Sequence, residues 1–254
     1  MERGLLTFSI IGSLLIIFLT VPIIVCLALG APGLPSLAGD EEALRAICLS
    51  FHAGSIASML VACLGTPLAY FLSRSKWPST IKGLLESLIE APLALPHSVA
   101  GMMVLLTYNP KSPIGSILAR VGLAVEDNYW GIVFVMAFVS APIFVSTVKA
   151  GFDSIDVELE NVARTLGARL FRTFVTVTFP LTFRHFLAGF ILTLARAVSE
   201  VGAIMVVAYY PKVASVLVVE RFLNYGLRAA LTLSAALTLV SLAMFASLKF
   251  LGRR

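Results

Sequence analysis

The sequence predicts an all-α, polytopic membrane protein with six transmembrane helices. Hydrophobic residues make up 59% of the 254-residue chain and charged residues only 13%, far from the composition of a water-soluble domain. A helix crosses the hydrocarbon core of a bilayer with roughly 20 mostly apolar residues. Six windows meet this requirement, so residues 1–254 are expected to form one transmembrane domain. The predicted spans are residues 5–29, 46–72, 84–108, 130–150, 185–210 and 228–251.

Lysine and arginine are distributed unequally between the two sets of loops that these spans define. Twelve lie in segments on the same side as the N-terminus, and six lie on the opposite side. Because basic residues of short loops are retained in the cytoplasm, both termini are predicted to be cytoplasmic in a multi-pass protein of the cell membrane. The excess of lysine and arginine in these cytoplasmic loops also accounts for the net charge of +5. The basic residues form no stripe, so a nucleic-acid partner is not expected.

Patterns typical of catalytic, cofactor-binding or metal sites are missing from the sequence. It contains no Gly-x-x-x-x-Gly-Lys-[Ser/Thr] loop for nucleotide phosphates, and no Gly-x-Ser-x-Gly or His-Glu-x-x-His pattern of a hydrolase. The three cysteines, Cys26, Cys48 and Cys63, fall inside predicted spans, where small apolar side chains pack well. We therefore assign the chain no catalytic, cofactor-binding or metal-binding residue, and any ATP hydrolysis is expected on a separate polypeptide.

Residues 156–170 have the pattern of an amphipathic helix outside the membrane. Its apolar side chains recur at intervals of three and four residues and share one face. A helix lying on lipid headgroups and a helix docking on a protein both fit such a stripe. A membrane-surface helix would show basic residues beside the stripe, whereas this one carries at least as many acids as bases, which favours docking. The stripe consists of Leu159, Val162, Ala163, Leu166 and Leu170.

Local signals define the ends of this helix. Asp156 is predicted to cap its N-terminus, and Gly167 is predicted to end it, since glycine readily adopts a left-handed backbone. Glu160 lies near the positive end of the helix dipole and is predicted to pair with Arg164 one turn later. Pro180 marks a new helix start or a kink.

The run Leu-Glu-Asn-Val-Ala-Arg-Thr-Leu-Gly at residues 159–167, followed by Pro180, is similar to the EAA loop of ABC importer permeases. Aligned on its final glycine, the run has asparagine at the glutamate position of the pattern and valine at its first alanine, and its own glutamate stands one place early. In that family the loop is a coupling helix that sits in a groove of the cytoplasmic ATPase. The resemblance implies that the ATPase-coupling residues are Leu159, Glu160, Ala163, Leu166, Gly167 and Pro180.

Three further sequence motifs indicate which branch of the ABC importer permeases the chain resembles. They are Gly-Thr-Pro-Leu-Ala-Tyr at 65–70, Leu-Pro-His-Ser-Val-Ala-Gly at 95–101 and Ala-Arg-Ala-Val-Ser-Glu-Val-Gly-Ala at 195–203, with Ala-Tyr-Tyr-Pro following at 208–211. Together they look like the permease subunits for molybdate, tungstate and sulfate. The resemblance implies a type I ABC importer: a homodimer of two such subunits, a dimer of cytoplasmic ATPase subunits that bind ATP and Mg²⁺, and an extracytoplasmic oxyanion-binding protein.

Ionisable residues in the predicted spans mark a candidate pathway, because they are costly to place in lipid. Arg196 and Glu200 are one turn apart and are predicted to pair, with the small residues Ser199 and Gly202 beside them. A fixed salt bridge that holds helices together and a lining or gating role both fit this pair.

The third predicted span carries a second group of candidates. Glu86 and Glu90 are followed by Pro92 and Pro96, which open the helical hydrogen-bond ladder. Such backbone is tolerated in a membrane only where protein or water satisfies it, so the segment is expected to line a cavity. The histidine after the second proline fits either packing or a gate. The candidates for pathway or gate are Glu90, Pro96, His97, Ser98, Gly101, Arg196, Ser199, Glu200 and Gly202.

These observations predict the transmembrane permease subunit of an ABC importer for a tetrahedral oxyanion. Tungstate or molybdate is the favoured cargo, and sulfate or thiosulfate is the alternative. Transport would follow alternating access driven through the coupling helices. A secondary transporter or channel would share the hydropathy but work without an ATPase. An intramembrane enzyme would need a nucleophile and a base within reach, for which the sequence offers no candidate.

Overall fold

The computed structural model describes residues 2–252, and every regular element in this range is a helix. Arg253 and Arg254, which contribute to the predicted charge bias, lie outside the described residues. The elements are α1 Glu2–Gly30, a 3₁₀ helix Ala31–Gly39, α2 Glu41–Arg74, α3 Ser79–Ala94, α4 His97–Tyr108, α5 Pro113–Arg120, α6 Tyr129–Asp153, α7 Val157–Thr165, α8 Leu170–Thr173, a π turn Phe174–Thr178, α9 Phe179–Val198, α10 Gly202–Val207, α11 Ala214–Tyr225 and α12 Leu227–Gly252.

Five helical segments within residues 2–252 are long and apolar enough to cross a membrane, and a bent pair of helices supplies a sixth candidate. This arrangement confirms the predicted all-α, multi-pass fold. The five segments are Ile11–Gly39, Glu41–Arg74, Tyr129–Asp153, Leu170–Val198 and Leu227–Ser247.

The bent pair occupies the span predicted over residues 84–108, in which the two prolines are expected to open the helical hydrogen-bond ladder. Helices α3 and α4 meet at 115° around Leu95 and Pro96. Leu95 has an extended backbone, with φ −78° and ψ 142°, because the ring of the following proline disfavours the helical conformation. Pro92 lies inside α3 and does not end it. The second proline therefore breaks this span.

The span predicted over residues 185–210 is displaced toward the N-terminus. The apolar helical segment begins at Leu170, continues through the π turn and α9, and ends at Val198. Residues 170–184, assigned to a cytoplasmic loop from the sequence, are therefore helical and continuous with α9. Pro180 is the second residue of α9 and directly follows the π turn, inside a helical segment that continues from Leu170. After Val198 the chain leaves the helix and starts the short α10.

Small residues allow the helices to pack closely at the centre of the bundle. The buried face of α2 carries Ala53 and Ala57, and α6 places Ile132 and Met136 in the same apolar core. Small side chains at helix interfaces let two backbones approach, which compensates for the weak hydrophobic driving force inside a bilayer. Helices α4 and α10 pack against the same core.

The short α5 follows the bent pair of helices. Ser112 caps it by accepting a hydrogen bond from the amide of Gly115 at 2.9 Å. At the same end of the bundle, Asp40 caps α2 and pairs with Arg221 of α11 at 2.7 Å. The hydrogen bond from Arg221 lowers the pKa of the Asp40 carboxyl. The ion pair joins the start of α2 to α11.

Substitution of Gly30 tests the packing of α1 on α12. A Cβ atom at this position would lie 2.5 Å from the carbonyl oxygen of Leu231 and 2.6 Å from Cβ of Ala235. Gly30→Ala should therefore destabilise the protein by about 1–3 kcal/mol through overpacking, measured as a lower unfolding temperature in detergent. Gly12 lies on the same helix, and a Cβ added there would have no atom within 4 Å, so Gly12→Ala is the control and should unfold like the wild type. Equal unfolding temperatures for the two variants would contradict this contact.

Candidate functional site

The break after α9 is organised by the carboxylate of Glu200. Its Oε1 accepts a hydrogen bond from the amide of Ala203 at 2.9 Å and so caps α10. Its backbone oxygen accepts a hydrogen bond from the hydroxyl of Ser215 at 2.6 Å. Non-helical backbone inside a membrane protein must find such partners within the protein, because lipid offers none. Glu200 therefore makes the interruption between α9 and α10 tolerable.

The second carboxylate oxygen of Glu200 joins two helices through an ion cluster. Arg196 Nη1 donates to Oε2 at 2.8 Å, and His97 Nδ1 lies 2.9 Å from the same oxygen. Arg196 Nη2 is also 3.2 Å from His97 Nδ1, so this nitrogen either donates to Glu200 or accepts from Arg196. The carboxylate side chain is fully buried, whereas the imidazole is 56% exposed. The predicted Arg196–Glu200 pair is present, and His97 extends it to α4.

Two of the predicted glycines let α4 approach this cluster. A Cβ at Gly202 would lie 2.9 Å from Cβ of His97, and a Cβ at Gly101 would lie 2.6 Å from the carbonyl oxygen of Ala203. Any larger residue would push α4 away from α10. The glycines therefore set the distance at which the imidazole meets the carboxylate.

The remaining pathway candidates divide between this cluster and another part of the bundle. Ser98 and Ser199 are exposed beside it, and the hydroxyl of Ser199 donates to the carbonyl of Arg196 at 3.0 Å. Pro96 begins α4 at the break. Glu90 is not part of the cluster: it lines a small cleft next to Lys149, which pairs with Glu86 at 3.2 Å. The structure thus brings together eight of the nine predicted residues.

Helix α7 has the N-terminal cap and the glycine stop that the sequence predicts. The side chain of Asp156 accepts a hydrogen bond from the amide of Glu158 at 3.0 Å. Gly167 has a φ of +89°, a conformation that favours glycine, and its amide donates to the carbonyl of Arg164 at 3.0 Å. The helix ends at Thr165, five residues before the predicted end at 170.

The apolar stripe of α7 is not covered by the described part of the chain. Leu159 is 49% exposed, Val162 is 56% exposed and Leu166 is 84% exposed. Leu170 and Phe171, just beyond the glycine, are also exposed and line an apolar groove between α2 and α9. Large apolar side chains grouped in this way are typical of a surface that binds another protein or a membrane.

Glu160 does not pair with Arg164, and this prediction is wrong. Its side chain points into the bundle and is buried, with 6% of the residue exposed. It accepts hydrogen bonds from the hydroxyl of Tyr70 at 3.0 Å and from Nε of Arg74 at 2.9 Å. Sequence reasoning missed both partners. The one available signal was a tyrosine and an arginine spaced one helical turn apart at the end of a span.

The fold and these two regions define a class of protein: a multi-pass helical membrane protein with a broken helix in its core and a short amphipathic helix exposed at one end. Within residues 2–252 no group of three or more histidine, cysteine, aspartate or glutamate side chains is arranged to hold a metal ion.

Comparison with known proteins narrows this class. Residues 63–254 match the family described as "Binding-protein-dependent transport system inner membrane component". The chain is 40% identical over 250 residues to the molybdate/tungstate transport system permease protein WtpB of Pyrococcus furiosus, covering 97% of this chain and 94% of that protein. It is 31% identical over 251 residues to the sulfate transport system permease protein CysT of Synechocystis, covering 94% and 87% of the two chains.

Solved structures share the fold. A bacterial ABC transporter involved in the import of the acidic polysaccharide alginate superimposes with a TM-score of 0.72 at 17% identity, covering 100% of this chain and 96% of that chain. The protein belongs to the family of inner membrane components of binding-protein-dependent transport systems. The resemblance to ABC importer permeases predicted from the sequence is confirmed.

Two glutamates in i, i+4 pairs with arginine provide a test of the buried cluster. Glu200→Gln leaves Arg196 without its counter-charge inside the bundle and should cost about 3 kcal/mol of unfolding free energy, measured by denaturation in micelles. Glu41 pairs with Arg45 on the surface, where the two side chains are 82% and 83% exposed. Glu41→Gln should therefore change the same quantity by less than about 0.5 kcal/mol. Similar losses in the two variants would show that the Glu200 pair is not buried as described.

Proposed function

We propose that this chain is the translocation subunit of an ABC importer for a tetrahedral oxyanion, molybdate or tungstate. The support is its membership of the permease family and its 40% identity over most of its length to a permease named for molybdate and tungstate transport. In this proposal the chain itself catalyses no reaction and binds no cofactor. ATP and Mg²⁺ are bound by a separate cytoplasmic ATPase.

The observation that carries the proposal is the exposed apolar face of α7. A nine-residue helix capped by Asp156 and followed by Gly167 presents Leu159, Val162 and the adjoining Leu166, which no residue in the range 2–252 covers. We assign this face, with Ala163 and the adjoining turn, as the surface that contacts the ATPase. Burying such side chains on association contributes roughly 25 cal/mol per Å² of apolar area.

The proposed assembly contains two copies of this chain, two ATPase subunits and an extracytoplasmic oxyanion-binding protein. With α7 facing the ATPase, both termini lie on the cytoplasmic side, in agreement with the distribution of lysine and arginine. The opposite end, with α5 and the Asp40–Arg221 pair, then faces the binding protein. Pro180 lies in the helix that connects α7 to the core and belongs to the transmission path.

The proposed pathway runs past the cluster at the break between α9 and α10. Glu200 neutralises Arg196, so a doubly charged oxyanion meets hydroxyls and an imidazole instead of an unpaired cation. A site that binds the anion weakly allows it to leave, which conduction requires. Ser98, Ser199 and the exposed side of His97 supply these groups. Glu90, in its separate cleft, is assigned to the pathway only on its position in the bent span.

Sulfate is the second candidate cargo, because the sulfate permease of Synechocystis also matches 94% of this chain. The two cargoes are distinguished by uptake into liposomes that contain the assembled complex, with the binding protein and ATP supplied. Labelled molybdate or tungstate should accumulate in the presence of excess sulfate. If sulfate competes fully, it becomes the preferred cargo. Accumulation driven by an ion gradient without an ATPase would replace the proposal with a secondary transporter.

Two valines provide a matched test of the coupling surface. Val162→Asp places a charge on the exposed face of α7 and should weaken association with the cognate ATPase at least about tenfold, or ~1.4 kcal/mol, when the detergent-solubilised proteins are copurified and titrated. Val121 is 67% exposed at the end of α5, so Val121→Asp should leave the affinity unchanged. If the wild-type chain does not associate with its ATPase, the proposed function is wrong.

A further inference from the structure

Glu160 lies on the side of α7 that faces the bundle, about 100° around the helix axis from Leu159 of the exposed apolar stripe. Its carboxylate is buried while its neighbour Leu159 is half exposed. The two acceptor oxygens are used separately: Arg74 Nε binds Oε1 at 2.9 Å, and the Tyr70 hydroxyl binds Oε2 at 3.0 Å. Both donors belong to the last turn and a half of α2. A residue in this position cannot contact an ATPase that docks on the stripe.

Arg74 connects the same carboxylate to α6. Its Nη2 donates to the carbonyl oxygen of Phe152, near the end of α6, at 2.9 Å. Its Nη1 donates to the hydroxyl of Ser73 at 2.9 Å, and that hydroxyl donates to Asp153 at 2.5 Å. The guanidinium is planar and presents its donors in a fixed geometry, so it holds these acceptors in one arrangement. One side chain thus fixes the ends of α2 and α6 and the middle of α7.

Tyr70 connects the carboxylate to the π turn. Its ring packs edge-on against Phe152 with centroids 5.5 Å apart and against Phe174 with centroids 5.1 Å apart. Phe174 is the first residue of the π turn, and Phe152 is fully buried. The hydroxyl that binds Glu160 therefore belongs to a ring held by two other elements.

We propose that the Glu160–Arg74–Tyr70 link transmits displacement of α7 to α2 and α6, and that Glu160 is a positioning residue and not a contact with the ATPase. The inference rests on the proposed function, in which an ATPase moves α7. A helix of nine residues joined to the bundle by short loops has little stability of its own. Charge-assisted hydrogen bonds to a buried carboxylate are directional, so they make α7 move together with the ends of α2 and α6.

The test uses the complete complex with its ATPase and the loaded binding protein in liposomes. Three variants remove one part of the link each: Glu160→Gln removes the charge, Tyr70→Phe removes one donor, and Arg74→Lys keeps the charge but cannot reach both Glu160 and the end of α6. Glu160→Gln should lower the amount of molybdate transported per ATP hydrolysed about tenfold, the effect of losing one charge-assisted hydrogen bond. ATP hydrolysis and the affinity for the ATPase should stay close to wild type.

Matched controls separate this effect from a general effect of charge. Glu158 is an exposed acid on the same helix, and Lys76 is an exposed cation two residues after Arg74. Glu158→Gln and Lys76→Gln should transport as much per ATP as the wild type. The double variant Tyr70→Phe/Glu160→Gln should be no worse than the more severe single variant, because both remove the same link.

The outcomes distinguish the two proposals. If Glu160→Gln weakens binding of the ATPase while transport per ATP is unchanged, Glu160 is a docking contact and the inference is wrong. If all three variants remain fully coupled, the link transmits nothing. If Glu160→Gln does not fold, Tyr70→Phe decides, since it removes one hydroxyl and keeps the ion pair. If the wild-type chain neither binds an ATPase nor transports molybdate, the proposed function is wrong, and so is the inference that rests on it.

Discussion

The structure depends on a carboxylate that is buried at the break between the helices α9 and α10. Glu200 lies between the end of α9 and the start of α10, and it accepts hydrogen bonds from Arg196 and from the amide of Ala203 while His97 approaches from α4. A broken helix inside a bundle exposes backbone donors and acceptors that neither lipid nor an apolar core can satisfy. Here one side chain satisfies an amide, neutralises a cation and joins α4 to the break. The close approach of α4 and α10 follows from it.

A second buried carboxylate, Glu160, works in the same way at one end of the molecule. Each carboxylate has an arginine partner, and each joins elements that are distant in sequence. The difference lies in what the neighbouring surface presents. Beside Glu200 the exposed groups are polar, as befits a path for an anion, whereas beside Glu160 the exposed face of α7 is apolar, as befits contact with another protein. In the proposed importer, the Glu200 cluster lies on the path of the cargo and the Glu160 cluster lies behind the surface assigned to the ATPase.

Features determined by short stretches of sequence were predicted correctly, and those determined by distant contacts were not. The cap at Asp156 and the stop at Gly167 depend on a few neighbouring residues, so local rules suffice. The pairing of Glu160 depends on Arg74, which lies 86 residues away, and the local rule favoured Arg164 instead. The helix that contains the fifth predicted span begins earlier than residue 185, because the basic residues among 170–184 resemble those of a loop although such side chains are also tolerated at the end of a helix.

The π turn at Phe174–Thr178 has a mechanical consequence. The amide of Phe179 donates to the carbonyl of Phe174, five residues back, so this turn holds one residue more than a regular α-helical turn. Each residue of an α-helix advances roughly 100° around the axis. Rewinding this single turn to the regular spacing would swivel α8, and with it the attached end of α7, by about that angle while α9 stayed in place. The one extra residue in this turn thus sets the orientation of α8 around the helix axis relative to α9.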